Sequence, residues 1–294
     1  TDVLTSAFRL VNKGENTITV RRLMSLQSDL VGGDYTAYTF NGDWGHERMR
    51  KTHPLSIGVF VNESLNGMSS ALTNPFIMLQ RSRYDDWYAY NLLFTGNHKE
   101  SVELNYANKT RVLVGMNDFA FSCELGAGEA FTTPQAVQVY APSRDAITCE
   151  MHKFVNRHIL RGMYARAERP VIINNWEATY FDFTVPKIVE LAKKAKNIGV
   201  ELFVLDDGWF STRNNDTSGL GDWSDNLEKT EGGIRVLAEK IREIGLQFGI
   251  WVEPEMVNPN SELYRLHPEW AVTIDGRTPI QLRNQYILDL ANPE

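Results

Sequence analysis

Ile198-Gly199-Val200-Glu201-Leu202-Phe203-Val204-Leu205-Asp206-Asp207-Gly208-Trp209-Phe210 is the stretch that decides how this chain folds. Gly199 follows an apolar helical stripe, Val185, Ile188, Val189, Ala192 and Ala195, and is placed to close that helix. Leu202–Leu205 is then a short run with no polar alternation, as expected of a parallel strand buried on both faces. The same grammar recurs downstream. Ile234, Leu237, Ala238, Ile241 and Ile244 mark a helix closed by Gly245, before the strand Phe248–Val252. Upstream, Arg169-Pro170 leads into the apolar run Val171–Ile173 and then Asn174-Asn175-Trp176. Successive strand–helix units predict a parallel sheet or barrel from residue 169 to 294.

Working outward, residues 1–141 read differently. Ile18, Val20, Met24 and Leu26 alternate with polar neighbours, interrupted at Arg22. Further strands are predicted at Ser56–Val61, Asn91–Phe94, Ser101–Tyr106, Arg111–Gly115 and Ala136–Tyr140, set apart by Gly, Asn and Pro turn signals. This spacing predicts a β-sandwich. Pro142-Ser143 offers a turn and an N-cap, and Ile147, Met151, Phe154, Val155, His158 and Ile159 recur with helical spacing, so residues 142–168 are read as a linking helix.

Composition narrows the function classes. Of 294 residues, 43% are hydrophobic and 23% charged, enough to build two real cores. The net charge of −7 comes from charges scattered along the chain, with no basic stripe for nucleic acid or an anionic membrane surface. No apolar run reaches the length of a membrane span. Cys123 and Cys149 lack disulfide or metal-ligand patterning and are read as small buried hydrophobes, which suits a reducing, cytoplasmic setting. His46, His53 and His152 show no metal-binding spacing. The start, Thr1-Asp2-Val3-Leu4, carries neither a methionine nor a signal-peptide pattern.

Chemistry collects where the predicted parallel strands end. The first runs into Asn175-Trp176-Glu177, the second into Asp206-Asp207-Gly208-Trp209 and the third into Trp251-Val252-Glu253-Pro254-Glu255. Tryptophan offers a flat apolar face to the C–H side of a pyranose, and carboxylates accept from several hydroxyls through charge-assisted bonds. A sugar is the natural ligand. Blander readings stand beside this one: Asp206–Asp207 as a helix N-cap or solvated turn, Glu253 and Glu255 as rim ion-pair partners, Trp251 as core. A retaining glycosidase needs two carboxyl groups about 5–5.5 Å apart, and adjacent strand residues point different ways. One of the pair can serve a ligand while the other supports it or also binds.

The ordered motifs Asn174–Phe181, Val204–Phe210, Leu220-Gly221-Asp222-Trp223, Trp251–Val257 and His267-Pro268-Glu269-Trp270 resemble the bacterial-type α-galactosidases of glycoside hydrolase family 36 from about Gly42 onward. The resemblance implies a β-supersandwich followed by the first part of a (β/α)8 barrel. It implies retaining hydrolysis of terminal α-1,6-linked galactose from melibiose- and raffinose-type oligosaccharides, with no metal or other cofactor, by a homotetramer. It also implies that Asp206 and Asp207 bind galactose hydroxyls, that Trp251 and Arg283 line the same pocket and that Trp176 shapes the aglycone side. Trp44, in Asp43-Trp44-Gly45-His46-Glu47-Arg48, would reach the sugar site, its own or that of a neighbouring subunit.

One departure bears on activity. The family's nucleophile motif, Lys-Trp-Asp-Met-Asn, and its acid/base motif, Ser-Asp-Asn-Thr-Asp, do not occur in these residues. Both catalytic acids are therefore expected beyond Glu294, with none in this chain, and residues 1–141 are expected to be the C-terminal portion of the sandwich. Residues 169–294 are then about three β/α units of a truncated barrel, inactive alone. Competing readings are a galactosyl-transferring relative of raffinose or stachyose synthase type, an α-N-acetylgalactosaminidase, and a non-catalytic galactoside-binding protein.

Overall fold

The computed structural model describes residues 3–69 and 72–294. They form two compact units, Thr1–Arg166 and Ala167–Glu294.

The first unit is built on two antiparallel sheets. A six-stranded sheet runs in the order Val3–Ser6, Gln135–Ala141, Trp87–Leu93, Thr73–Arg81, Tyr35–Asn41, Met49–Pro54. A four-stranded sheet runs Met24–Val31, Lys109–Met116, His98–Leu104, Gly58–Glu63. Alternation along the larger sheet explains its burial. Ile77, Leu79, Tyr90, Leu92 and Ala136 pack against Leu26, Val102, Val112 and Val114 of the smaller sheet. Their neighbours Met78, Ala89, Val137 and Val139 point the other way, onto Ile147 and Phe154 of a helix. The central strands are thus covered on both faces. In the smaller sheet His98 and Glu100 are wholly buried, with His98 Nδ1 2.9 Å from Glu100 Oε2 and Asn62 Nδ2 donating to that same oxygen at 2.8 Å.

Several expectations shift. The segment from Ile18 to Leu26 is two strands, Ile18–Val20 and Met24–Val31, paired in different sheets. The linking helix is shorter than predicted: Arg144–Phe154 is α-helical, capped by Ser143 Oγ accepting from Ala146 N–H at 3.1 Å. Val155–Ile159 widens into a single π turn and Leu160 is extended. The cysteines are not core residues: Cys123 is half-buried and Cys149 exposed, because Cys149 falls on the helix face away from Ile147 and Phe154.

The second unit contains three parallel strands, Ile172–Asn174, Leu202–Leu205 and Gln247–Ile250, hydrogen-bonded in that order. The helices Val185–Asn197 and Ile234–Glu243 follow the first two strands. Both helices end identically. Gly199 (φ 93°) donates to Lys196 O and Val200 to Ala195 O, while Gly245 (φ 87°) donates to Arg242 O and Leu246 to Ile241 O, two Schellman motifs. Phe203 and Leu205 join Ile188, Ala192, Leu237 and Ile241 in the core between strands and helices. The β-sandwich followed by parallel barrel strands is the architecture read from the sequence.

Candidate functional site

At the end of the second parallel strand the chain leaves regular structure at Asp206, and neighbouring elements fix it there. Asn175, 1% exposed at the end of the first strand, accepts the Asp206 N–H on its Oδ1 at 2.8 Å. Asp206 Oδ1 accepts from the Asp207 N–H at 2.8 Å. No hydrogen bond reaches Asp206 Oδ2 from the described residues. Burial raises the Asp206 carboxyl above its usual range; the Asp207 N–H opposes the shift and the Asp207 charge adds to it.

Asp207 is nearly buried, and its partner did not stand out in the sequence. Arg213, with no exposed surface, grips it with a fork: Nε to Oδ1 at 2.9 Å and Nη2 to Oδ2 at 2.7 Å. The guanidinium also lies over the Phe181 ring, 5.5 Å from its centroid, and Phe181 meets Trp176 edge-on at 5.1 Å. Gly208 adopts φ 96°, and a Cβ there would come within 3.0 Å of Phe181 Cδ1. Lys229 closes the back of the loop, donating to Gly208 O at 2.9 Å over the Phe183 ring, and burial lowers its ammonium from the ordinary lysine range.

Aromatic groups gather beside the pair. Trp209 donates from Nε1 to Trp251 O at 2.9 Å, and Trp223 bridges Phe210, at 4.5 Å between ring centroids, and Trp251, at 6.3 Å. Trp251 is half-buried and packs against the core of the second unit. Half-buried Glu253 titrates high because of burial, eased by Arg283 and Arg213 and reinforced by Glu255 and Asp207. Arg283 stands at the tip of a hairpin, Leu282–Gln285, whose two central residues, Arg283 (φ 51°) and Asn284 (φ 62°), are both left-handed.

The second unit thus carries Trp176, Asp206, Asp207, Trp251 and Arg283. Trp44 belongs to the first unit, 92% exposed in the loop between the strands Tyr35–Asn41 and Met49–Pro54. Arg213 and Asn258 were not legible as site residues, because Arg213 lies in the polar run Ser211-Thr212-Arg213-Asn214-Asn215-Asp216, which reads as a solvated loop. Its one signal was distance, six residues from Asp207. Among the described residues no group of acidic, histidine or cysteine side chains is arranged to hold a metal ion, and no helix is long and apolar enough to cross a membrane.

This geometry can hold a polyhydroxylated ring by one free carboxylate edge, a second carboxylate fixed by arginine, and tryptophan faces. Comparison with known proteins identifies the family. Residues 1–126 match the glycosyl hydrolase family 36 N-terminal domain and residues 130–294 match the melibiase family. The chain is 41% identical over its whole length to α-galactosidase AgaA of Geobacillus stearothermophilus, covering 41% of that protein. It is 39% identical to the bifunctional α-galactosidase/sucrose kinase AgaSK of Mediterraneibacter gnavus, again over its whole length and covering 32% of that protein. The crystal structure of AgaA superposes with a TM-score of 0.96 over 99% of this chain and 41% of AgaA. Variants of AgaA have been solved with raffinose and with stachyose. The chain spans about two fifths of the length of AgaA. With both matches in sequence order and the fold shared at this level, the chain belongs to glycoside hydrolase family 36.

Proposed function

We propose that this chain supplies the galactose-recognising part of a retaining α-galactosidase that hydrolyses terminal α-1,6-linked galactose from melibiose- and raffinose-type oligosaccharides. The observation that carries the reading is the Asp206–Asp207 pair at a parallel strand's end, with one carboxylate oxygen that no donor among the described residues reaches and the Trp209–Trp223–Trp251 cluster starting two residues further along the chain. The raffinose and stachyose bound by AgaA variants support the substrate class. In this reading Asp206, Asp207 and Arg283 take galactose hydroxyls, Trp251 supports the ring and Trp176 the aglycone side, while Trp44 reaches the site of another subunit in a homotetramer. Residues 1–141, 142–168 and 169–294 are the sandwich portion, the linker and the first barrel units of a cytoplasmic protein whose nucleophile and acid/base lie outside these 294 residues.

The test has two arms. Residues 1–294 alone are expected to give no turnover of a chromogenic α-galactoside, and clear turnover would overturn the placement of the catalytic acids. In the full-length protein carrying this chain, Asp206→Ala is expected to lower kcat/KM on the same substrate by about a hundredfold, the scale of one lost charge-assisted contact or more. Unchanged kinetics would remove Asp206 from the site.

A further inference from the structure

Behind the proposed galactose ligands stands an amide with no exposed surface and every bonding position used. Asn258 Oδ1 accepts from Arg213 Nη1 at 2.8 Å and from the Leu220 N–H at 2.9 Å. Its Nδ2 donates to Asp216 O at 3.1 Å and to Asn284 O at 2.7 Å. Through the first contact it touches the arginine that holds Asp207; through the last it touches the backbone of the turn that carries Arg283. We propose that Asn258 is a positioning residue that sets Arg283 against the Asp206–Asp207 pair, through Arg213 on one side and the Asn284 carbonyl on the other.

Two features separate this role from filling space. A buried amide and a buried guanidinium are costly to desolvate, and an apolar side chain would occupy the same volume without that cost. The Leu282–Gln285 hairpin also places arginine, a residue with no preference for left-handed backbone, at φ 51°. Two backbone bonds between Leu282 and Gln285 close this turn, and left-handed backbone at an arginine is a cost that a hold from outside helps to offset. Asn258 supplies that hold from the position just after the strand Met256–Val257, which pairs with Tyr286–Ile287 immediately after the turn. The two arms meet in one neighbourhood, since Arg283, Arg213 and Asp207 all act on the Glu253 carboxyl.

The inference rests on the reading of Arg283 and Asp207 as galactose ligands, so the experiment separates the two. In the full-length protein, Arg283→Ala, Asn258→Asp and their combination are compared by KM, kcat and the inhibition constant of free galactose, each corrected for the folded fraction. Asn258→Asp keeps an acceptor for Arg213 and loses the donor to Asn284 O. It is expected to raise KM and the galactose inhibition constant about tenfold with kcat within about twofold, and to have no further effect once Arg283 is alanine. If Arg283→Ala leaves galactose inhibition unchanged, the binding reading has failed. If Arg283→Ala weakens inhibition but Asn258→Asp only lowers Tm, or adds its full effect in the Arg283→Ala background, the positioning role is overturned. Should Asn258→Asp not fold, Arg213→Lys reads the other arm; it is expected to weaken galactose inhibition in a way coupled to Arg283, and an unchanged or uncoupled constant overturns the proposal.

Discussion

Asp206 and Asp207 are adjacent and chemically identical, yet their surroundings give them different work. Arg213 grips both oxygens of Asp207, whereas Asp206 is held through its backbone N–H and no hydrogen bond from the described residues reaches its Oδ2. Holding a partly desolvated carboxylate in that state costs stability. Because burial raises the folded-state pKa above the ordinary 3.8, the folded protein binds the proton more tightly, and stability falls as pH rises from about 3.8 through the raised value. Asp206→Asn is therefore expected to raise Tm at pH 7, with the gain vanishing below pH 3.8, while galactoside affinity drops; melts across pH check this, and a lower Tm at pH 7 would contradict it. Gly208 is constrained as tightly. Gly208→Ala meets Phe181 and the Arg213 carbonyl at φ 96° and should lose about 1–3 kcal/mol in urea unfolding. At this scale the carboxylate pair and tryptophans were legible, because they sit at strand ends that periodicity locates. Arg213 and Asn258 were not, because burial of a polar loop residue is a tertiary fact with no local signature.

The three parallel strands and two long helices of the second unit were legible almost to their ends, since Gly199 and Gly245 impose the same helix stop twice and the strands between are too apolar and short to be anything else; the short elements after Ile250 were not. The sandwich was harder. Thr73–Arg81 lacks a clear two-residue alternation because both of its faces are covered, by the second sheet and by the helix. Tyr35–Asn41 alternates, but a threonine, Thr39, sits on its buried face and two aromatics, Tyr38 and Phe40, on the other, which blurs the pattern. That helix is integral to the unit. Ile147→Ala removes a wholly buried side chain from its contact with Met78, Ala89 and Val139 and should cost about 2–5 kcal/mol. Urea denaturation of the variant beside the parent would show it; a loss below about 1 kcal/mol would mean the helix is merely appended.

As a whole molecule the chain is two units, each with its own core, joined through Leu160–Arg169. Arg161 and Arg166 in that stretch are exposed, and only a three-residue turn of helix, Met163–Ala165, interrupts it. Brief trypsin treatment is expected to cut there first, giving fragments near residues 1–166 and 167–294, identified by mass; first cuts elsewhere would show a tighter junction. The larger sheet of the first unit has a different consequence. Its middle strands, Thr73–Arg81 and Trp87–Leu93, have a strand on each edge and packed side chains above and below. Water reaches their amides only when the helix or the second sheet lifts away. Deuterium should therefore enter these strands last, at a rate that reports the opening of the whole unit, while Val3–Ser6 and Met49–Pro54 at the edges exchange through local fraying.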